Sequence, residues 1–273
     1  MKRVTIGDAV FGDGRLAVIA GPCVVESAAM CLEIASHLKS ACASRGLPFV
    51  FKASFRKANR SSGRSFAGLP EEQALEALAR VKREVQVPVL TDVHEVRDVE
   101  PAAAVADVLQ IPAYLSRQTA LLDAAAKSGR AVNVKKGQFL APTDMGRVVE
   151  KLESAGGTRI LLTERGVTFG YGDLIVDMRS LVIMRRLGWP VIYDATHSLQ
   201  RPGAGAESGG HREFAFPLMR AAVACGIDGL FFEAHPDPEH ALSDRATQLP
   251  LAEAESFLDE ARRVHGAVET ARA

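Results

Sequence analysis

The chain has 273 residues, 47% hydrophobic and 24% charged, with 33 Lys and Arg balanced by 33 Asp and Glu. A formal charge of zero supplies no overall field for nucleic acid or an anionic membrane surface, so an anion would have to be held by a locally built site. No uncharged stretch approaches a bilayer span, and residues 1–8 lack the apolar centre of a secretory leader; the expectation is a soluble, cytoplasmic protein that acts on small molecules. Cys23, Cys31, Cys42 and Cys225 form no close metal-finger pair and no secreted-scaffold pattern, which predicts reduced thiols. Cys31 and Cys42 fall on one expected helix and read as packing residues.

In chain order, the residues before Leu16 read as a short extension, drawn as a hairpin over the bottom of the fold. Eight short apolar runs follow: Leu16 to Gly21, Pro48 to Ala53, Val87 to Thr91, Asp107 to Ile111, Ala131 to Val134, Arg159 to Thr163, Pro190 to Tyr193 and Gly229 to Phe232. Amphipathic segments such as Glu71 to Glu84 and Phe214 to Ala224 separate them, the alternation of a parallel sheet built from β/α units. Eight units in this length predict an α/β fold, a closed (β/α)8 TIM barrel with a short N-terminal extension; an open doubly wound sheet is the second choice. No linker divides the chain, so residues 1–273 are expected to form one barrel domain. The longest polar, Gly-rich stretch, Ser198 to Gly210, falls inside a strand-to-helix connection and reads as a lid.

Active sites of such barrels lie where the strands end. The second run ends at Lys52 and breaks into Ser54, Lys57, Asn59, Arg60, Ser61 and Ser62, a cationic, hydroxyl-rich loop suited to phosphate. The other ends are Gly21-Pro22-Cys23, Thr91-Asp92-Val93-His94-Glu95, Gln110-Ile111-Pro112, Asn133-Val134-Lys135-Lys136, Thr163-Glu164-Arg165, Asp194-Ala195-Thr196-His197 and Glu233. Cys23, His197 and Glu233 come from the first, seventh and eighth strands, which are neighbours in a closed barrel, and can share one metal ion. Pro236-Asp237-Pro238 blocks a helix after the last strand, leaving a loop that can return Asp237 or Asp244 as another ligand. Thiolate with imidazole suits zinc or iron, and two carboxylates also admit manganese or cobalt. A second set, Lys52, Lys57, Lys135 and Arg165, is expected across the barrel with Arg60 farther out. So many cations need either acidic neighbours such as Asp92 and Glu95 or a substrate carrying both phosphate and carboxylate. Alternation does not choose between Lys135 and Lys136 for the inward position, and a solvent-facing Lys136 is the simple reading.

Taken together, these motifs resemble those of the 3-deoxy-D-manno-octulosonate 8-phosphate synthases over nearly the whole chain. They include Ala20-Gly21-Pro22-Cys23 with Glu26-Ser27, the loop from Lys57 to Ser62, Gln110-Ile111-Pro112-Ala113 with Ser116-Arg117-Gln118-Thr119, and Glu164-Arg165-Gly166 with Phe169-Gly170-Tyr171. Asp194-Ala195-Thr196-His197-Ser198, Ser208-Gly209-Gly210 with Arg212-Glu213-Phe214, and Glu233 to Asp244 complete the set. The resemblance implies a barrel transferase, usually a homotetramer, that condenses phosphoenolpyruvate with arabinose 5-phosphate and water on the route to lipopolysaccharide precursors. By position, it implies that Lys52, Ser54, Lys57, Gln110, Lys135 and Arg165 surround phosphoenolpyruvate, that Asn59, Arg60 and Ser61 receive arabinose 5-phosphate, and that Arg117 reaches a neighbouring subunit's site. Lys52, Lys57, Lys135, His197 and Asp244 are the expected catalytic residues. Cys23, His197, Glu233 and Asp244 are the ligands implied for a divalent metal, in the family's metal-dependent branch; asparagine replaces the cysteine in the metal-free branch. Arg56 departs from the family pattern, where an aspartate is usual, and His211 stands where other polar residues are common. The alternatives are a related synthase using erythrose 4-phosphate, a Schiff-base aldolase with Lys52 or Lys135 as nucleophile, and a noncatalytic phosphosugar-binding barrel.

Overall fold

Eight buried strands form one parallel sheet in the computed structural model, which describes residues 1–58, 66, 68–202 and 209–272. They are β1 (Ala17–Gly21), β2 (Phe49–Lys52), β3 (Val89–Asp92), β4 (Val108–Ile111), β5 (Ala131–Lys135), β6 (Ile160–Glu164), β7 (Val191–Asp194) and β8 (Gly229–His235). Each strand pairs with its sequential neighbours. β8 returns to β1 through Phe231 opposite Ile19 and also pairs with β7 through Asp194 opposite Phe231, so the sheet closes. Closure excludes the open doubly wound alternative. Strands covered by helices outside and side chains inside are apolar on both faces, which is why they read as continuous apolar runs rather than alternating ones.

The helices follow in order: α1 (Ala28–Ala43), α2 (Glu71–Arg80), α3 (Val96–Val105), α4 (Thr119–Lys127), α5 (Met145–Ser154), α6 (Arg179–Arg185), α7 (Ala215–Ala224) and α8 (Ala254–Arg272). Ser27 caps α1 by accepting from the Met30 amide at 3.1 Å, and Cys31, Ile34, Ala35, Leu38 and Cys42 make its buried stripe. Both cysteines pack as expected, and burial pushes each thiol up to about 12. The segment expected as one helix from Glu71 to Glu84 is α-helical only to Arg80. It widens into a π-turn over Val81–Val85 and stops at Gln86, whose φ of 58° is left-handed.

The N-terminal hairpin, Val4–Ile6 with Ala9–Phe11, packs beneath the barrel, where the Phe11 ring lies 3.0 Å from the position a Cβ on Gly229 would take. At the other end, β8 runs three residues past the expected Phe232 because Ala234 and His235 pair with Leu249 and Pro250. Two short hairpins extend the connections after β6 and β7: Val167–Phe169 with Asp173–Ile175, and Gln200–Arg201 with Gly209–Gly210. Among the described residues, no helix is long and apolar enough to cross a membrane.

Gly21 closes β1 against β2 so tightly that an added Cβ would strike the Lys52 carbonyl oxygen. Gly21→Ala is therefore expected to cost about 1–3 kcal/mol of folding stability, the usual range for overpacking a dense interior. Urea denaturation measures this; a variant as stable as the parent would contradict the close approach.

Candidate active site

Cys23 follows the Gly21-Pro22 turn at the end of β1, Glu233 lies in β8, and Asp244 sits on the loop from β8 to α8. Their ligand atoms all lie within 4.8 Å of one another. The Cys23 thiol donates to Asp244 Oδ2 at 2.8 Å, and its Sγ lies 3.0 Å from Ser243 Oγ. Burial, and then the carboxylates of Asp244 and Glu233, push this thiol well above its ordinary range. Asp244 adopts a φ of 50°, a conformation that side chains other than glycine rarely take and that aspartate tolerates better than most. Asp237, the other aspartate offered by this loop, pairs instead with His240 at 2.7 Å on the surface.

His197 stands beside these three residues. Its Nδ1 is 2.9 Å from Asp194 Oδ2 and its Nε2 is 3.5 Å from Glu233 Oε1. Asp194 is fixed in turn by the amides of Thr196 and His197, which donate to its Oδ1 at 3.0 and 2.9 Å. His197 Nδ1 thus faces Asp194 and, at 3.2 Å, the Lys135 amine, which leaves Nε2 on the side of Glu233, where an imidazole nitrogen can join a metal site. Glu233 Oε2 is buried without a hydrogen-bond partner among the described residues. A thiol, two carboxylates and an adjacent imidazole, with one buried carboxylate oxygen lacking a donor, are chemically suited to a divalent cation.

The cationic side chains enter the same mouth. Lys52 is buried with its Nζ 2.5 Å from Glu233 Oε1 and 2.9 Å from the Cys23 carbonyl oxygen. Lys135 lies 2.7 Å from Asp194 Oδ2 and 4.2 Å from the centre of the Phe231 ring. Arg165 donates from Nη2 to Gln200 Oε1 at 2.7 Å, while its buried Nη1 has no partner among the described residues. Desolvation alone would lower the Lys57 ammonium, yet the nearby carboxylates of Glu233, Asp244 and Asp92 hold it well above the usual lysine range. The expected separation of cations on one side from metal ligands on the other does not hold: Lys52 pairs with Glu233, and Lys135 adjoins His197. Asp92 meets the expectation of an acidic neighbour. Burial would raise its carboxyl, but Lys52, Lys57 and Lys135 hold it far below its usual value. Glu95 lies outside, bonded to Arg56 and Arg97.

Below the mouth a polar ladder crosses the barrel. Thr163 donates to Asn133 Oδ1 at 2.7 Å, Asn133 to Gln110 Oε1 at 2.8 Å, and Gln110 to Asp92 Oδ1 at 2.6 Å; Ser54 donates to Asp92 Oδ2. Because an ionised carboxylate only accepts, Asp92 sets the direction of both amides. Gln110 and Ser54 thus sit in the floor of the cavity.

Other expectations fall elsewhere. Lys136 is fully buried rather than solvent-facing, 3.5 Å from Glu164 Oε1, because β5 ends with Lys135 pointing inward and turns Lys136 toward β6. Arg56 binds both Asp98 oxygens at 2.8 and 2.7 Å, so the departure at this position ties the second loop to the capping box of α3. His211 pairs with Glu213 at 3.1 Å on the surface. Arg117 is exposed, on the segment leading into α4. Asn59, Arg60, Ser61 and Ser62 lie outside the described residues, as does 203–208 of the expected lid.

A family model described as the DAHP synthetase I family matches residues 2–270. The chain belongs to this family. It is 53% identical over 259 residues to a 2-dehydro-3-deoxyphosphooctonate aldolase of Trichlorobacter lovleyi, covering 94% of this chain and 95% of that one. A protein of the same name from Cupriavidus necator is 55% identical, with 88% and 86% covered, and one from a Geobacter species is 51% identical, with 98% of each covered. The family membership agrees with the resemblance read from the motifs and with the closed barrel.

Asp92 was expected as an acidic neighbour of the cations and Asp194 was named as a strand end without a role, but Gln200, which also contacts this site, was not singled out from the sequence. Asp92 and Asp194 each close a barrel strand, a position that itself marks a side chain of the mouth, whereas Gln200 carries no such signal. The ladder gives a test for this family member. Asn133→Leu removes both of its hydrogen bonds and orphans the Thr163 hydroxyl and the Gln110 carbonyl, so stability should fall by about 1–3 kcal/mol for each group left unsatisfied. Denaturant unfolding that shows no loss would argue against the ladder.

Proposed function

We propose that this protein condenses phosphoenolpyruvate with D-arabinose 5-phosphate and water to give 3-deoxy-D-manno-octulosonate 8-phosphate and inorganic phosphate, with a divalent metal, as a cytoplasmic step toward lipopolysaccharide precursors. The observation that carries the reading is the joining of Lys52, Lys135 and Arg165 to the Cys23, Glu233 and Asp244 group in one buried mouth, with the half-buried Lys57 near enough to feel its carboxylates. The printed name of the relatives supports it. Arg165 presents an unpartnered buried N–H suited to a phosphate or carboxylate oxygen, and the lysines neutralise the opposite end of a dianionic substrate. Holding both ends aligns the enol carbon with the aldehyde carbon of the sugar, so that the new carbon–carbon bond forms between oriented partners. Water adds at the neighbouring carbon, and phosphate departs from it. When bound at Cys23, His197, Glu233 and Asp244, a divalent cation supplies Lewis-acid polarisation of the aldehyde or of the attacking water. Asn59, Arg60 and Ser61 follow Lys57 directly and are assigned to the aldose phosphate, and Arg117 to the site of a neighbouring subunit in a homotetramer.

A Schiff-base reading fares worse, because both candidate amines, Lys52 and Lys135, are already paired with buried carboxylates. The family description leaves the heptulosonate synthase reaction as the second reading. With metal supplied, phosphate release from phosphoenolpyruvate should require arabinose 5-phosphate; equal or faster release with erythrose 4-phosphate would overturn the assignment.

Chelation should abolish turnover, and Cys23→Ala should lose both bound metal and activity while keeping its circular dichroism spectrum. Only carboxylates and His197 would then remain as ligands. Cys23→Asn should retain some chelator-resistant activity below that of the parent. Full activity of the parent protein with metal shown by elemental analysis to be negligible would refute the metal requirement.

A further inference from the structure

Gln200 bridges the two halves of the mouth. Its Oε1 accepts from Arg165 Nη2 at 2.7 Å, and its Nε2 donates to Asp244 Oδ1 at 2.8 Å. On the far side of Asp244, Oδ2 accepts from the Cys23 thiol at 2.8 Å. One hydrogen-bonded line therefore runs Arg165–Gln200–Asp244–Cys23. Beside its two ends lie the buried atoms that lack partners among the described residues, Arg165 Nη1 and Glu233 Oε2. The first is a donor suited to an anion and the second an acceptor suited to a cation. Both bonds of Gln200 involve charged groups, and the side chain is buried, so its amide has a single satisfying orientation. Its backbone is held as well: Gln200 pairs with Gly210, and the neighbouring Leu199 carbonyl accepts from the His211 amide at 3.0 Å. Arg212, just beyond, donates to the Arg245 carbonyl and pairs with Glu239 at 3.2 Å, tying the loop after β7 to the loop that carries Asp244.

We propose that Gln200 is a positioning residue that couples the anion end of the mouth to its cation end, so that filling either one raises the affinity of the other. An anion drawing on Arg165 orients the guanidinium that Gln200 accepts from; Gln200 then holds the Asp244 carboxylate with Oδ2 toward Cys23. By linkage the effect is reciprocal, and ordinary coupling of this kind is about fivefold or more. The proposal rests on the reading of the mouth as a phosphoenolpyruvate and metal site.

The experiment is calorimetric titration of the metal-stripped full chain with cobalt(II), with and without saturating phosphoenolpyruvate. Parent protein should bind cobalt at least about fivefold more tightly with phosphoenolpyruvate present. In Gln200→Leu, similar in size but unable to bridge, the ratio should fall toward one while each ligand still binds alone. Gln200→Asn keeps an amide too short to reach both partners; it should lose the ratio too, and it serves if the leucine variant does not fold. A parent ratio of one, or a parent-like ratio in whichever folded variant is measured, overturns the coupling. Failure of the parent to bind phosphoenolpyruvate at all would instead remove the functional reading beneath it, and the coupling with it. Parent turnover with arabinose 5-phosphate alongside an unchanged ratio in the variants would sink the coupling alone.

Discussion

The Lys52–Glu233 pair, 2.5 Å apart with both side chains almost wholly out of water, is the contact on which the rest of the mouth depends. Either charge buried alone would cost several kcal/mol, so each is tolerable only because the other is there. The pair does not exhaust Glu233, whose second oxygen remains without a hydrogen bond among the described residues. Nor does it isolate Lys52, which also counts among the charges holding Asp92 ionised. One ion pair thus stabilises the burial of a carboxylate with a free acceptor and of a cation with influence across the cavity. The same arrangement repeats at Lys135 and Asp194, where the carboxylate orients His197 as well.

Barrel geometry makes the first pair possible. Glu233 stands opposite Gly21 in the β8–β1 ladder, and Lys52 closes β2 on the other side of β1. Between an acid and a base on flanking strands, the middle strand therefore offers a residue with no side chain. The glycine lets the strands close by leaving room for the Lys52 backbone carbonyl. Its role is steric and local, and it sets the strand of the acid and the strand of the base on either side of it.

Much of this was legible in the sequence, for physical reasons. Fully buried parallel strands are continuous apolar runs, so all eight could be counted, and the residue ending each run named Lys52, Lys135, Glu233 and the turn before Cys23. Loop geometry was less accessible. Asp237 and Asp244 could not be separated by spacing, because the choice rests on Asp244 adopting a left-handed backbone and on Asp237 finding His240. The interleaving of cations and metal-type ligands was missed because strand order does not tell how far a long lysine reaches over its neighbour. Lys136 was misjudged since polarity suggested solvent, whereas a buried carboxylate, Glu164, lies beside it. Gln200 was invisible as a site residue: a neutral amide on a loop acquires meaning only from the two charged groups it touches.

The two kinds of polar construction in the mouth divide the work. The ladder from Thr163 to Asp92 is carried by strand ends, and every amide in it is oriented by an acceptor-only carboxylate, so the floor has one hydrogen-bonding pattern before any substrate arrives. Dipoles oriented in advance do not have to reorganise as charge shifts during reaction, and this is where preorganised sites gain most over water. Buried atoms of the mouth without a hydrogen-bond partner among the described residues, Arg165 Nη1, Asp194 Oδ2 and Glu233 Oε2, belong instead to residues in or just past the ends of β6, β7 and β8. A site built this way keeps its settled hydrogen bonds between β3 and β6 and its unused bonding capacity at the ends of β6, β7 and β8, so ligand binding completes contacts beside a floor that is already set.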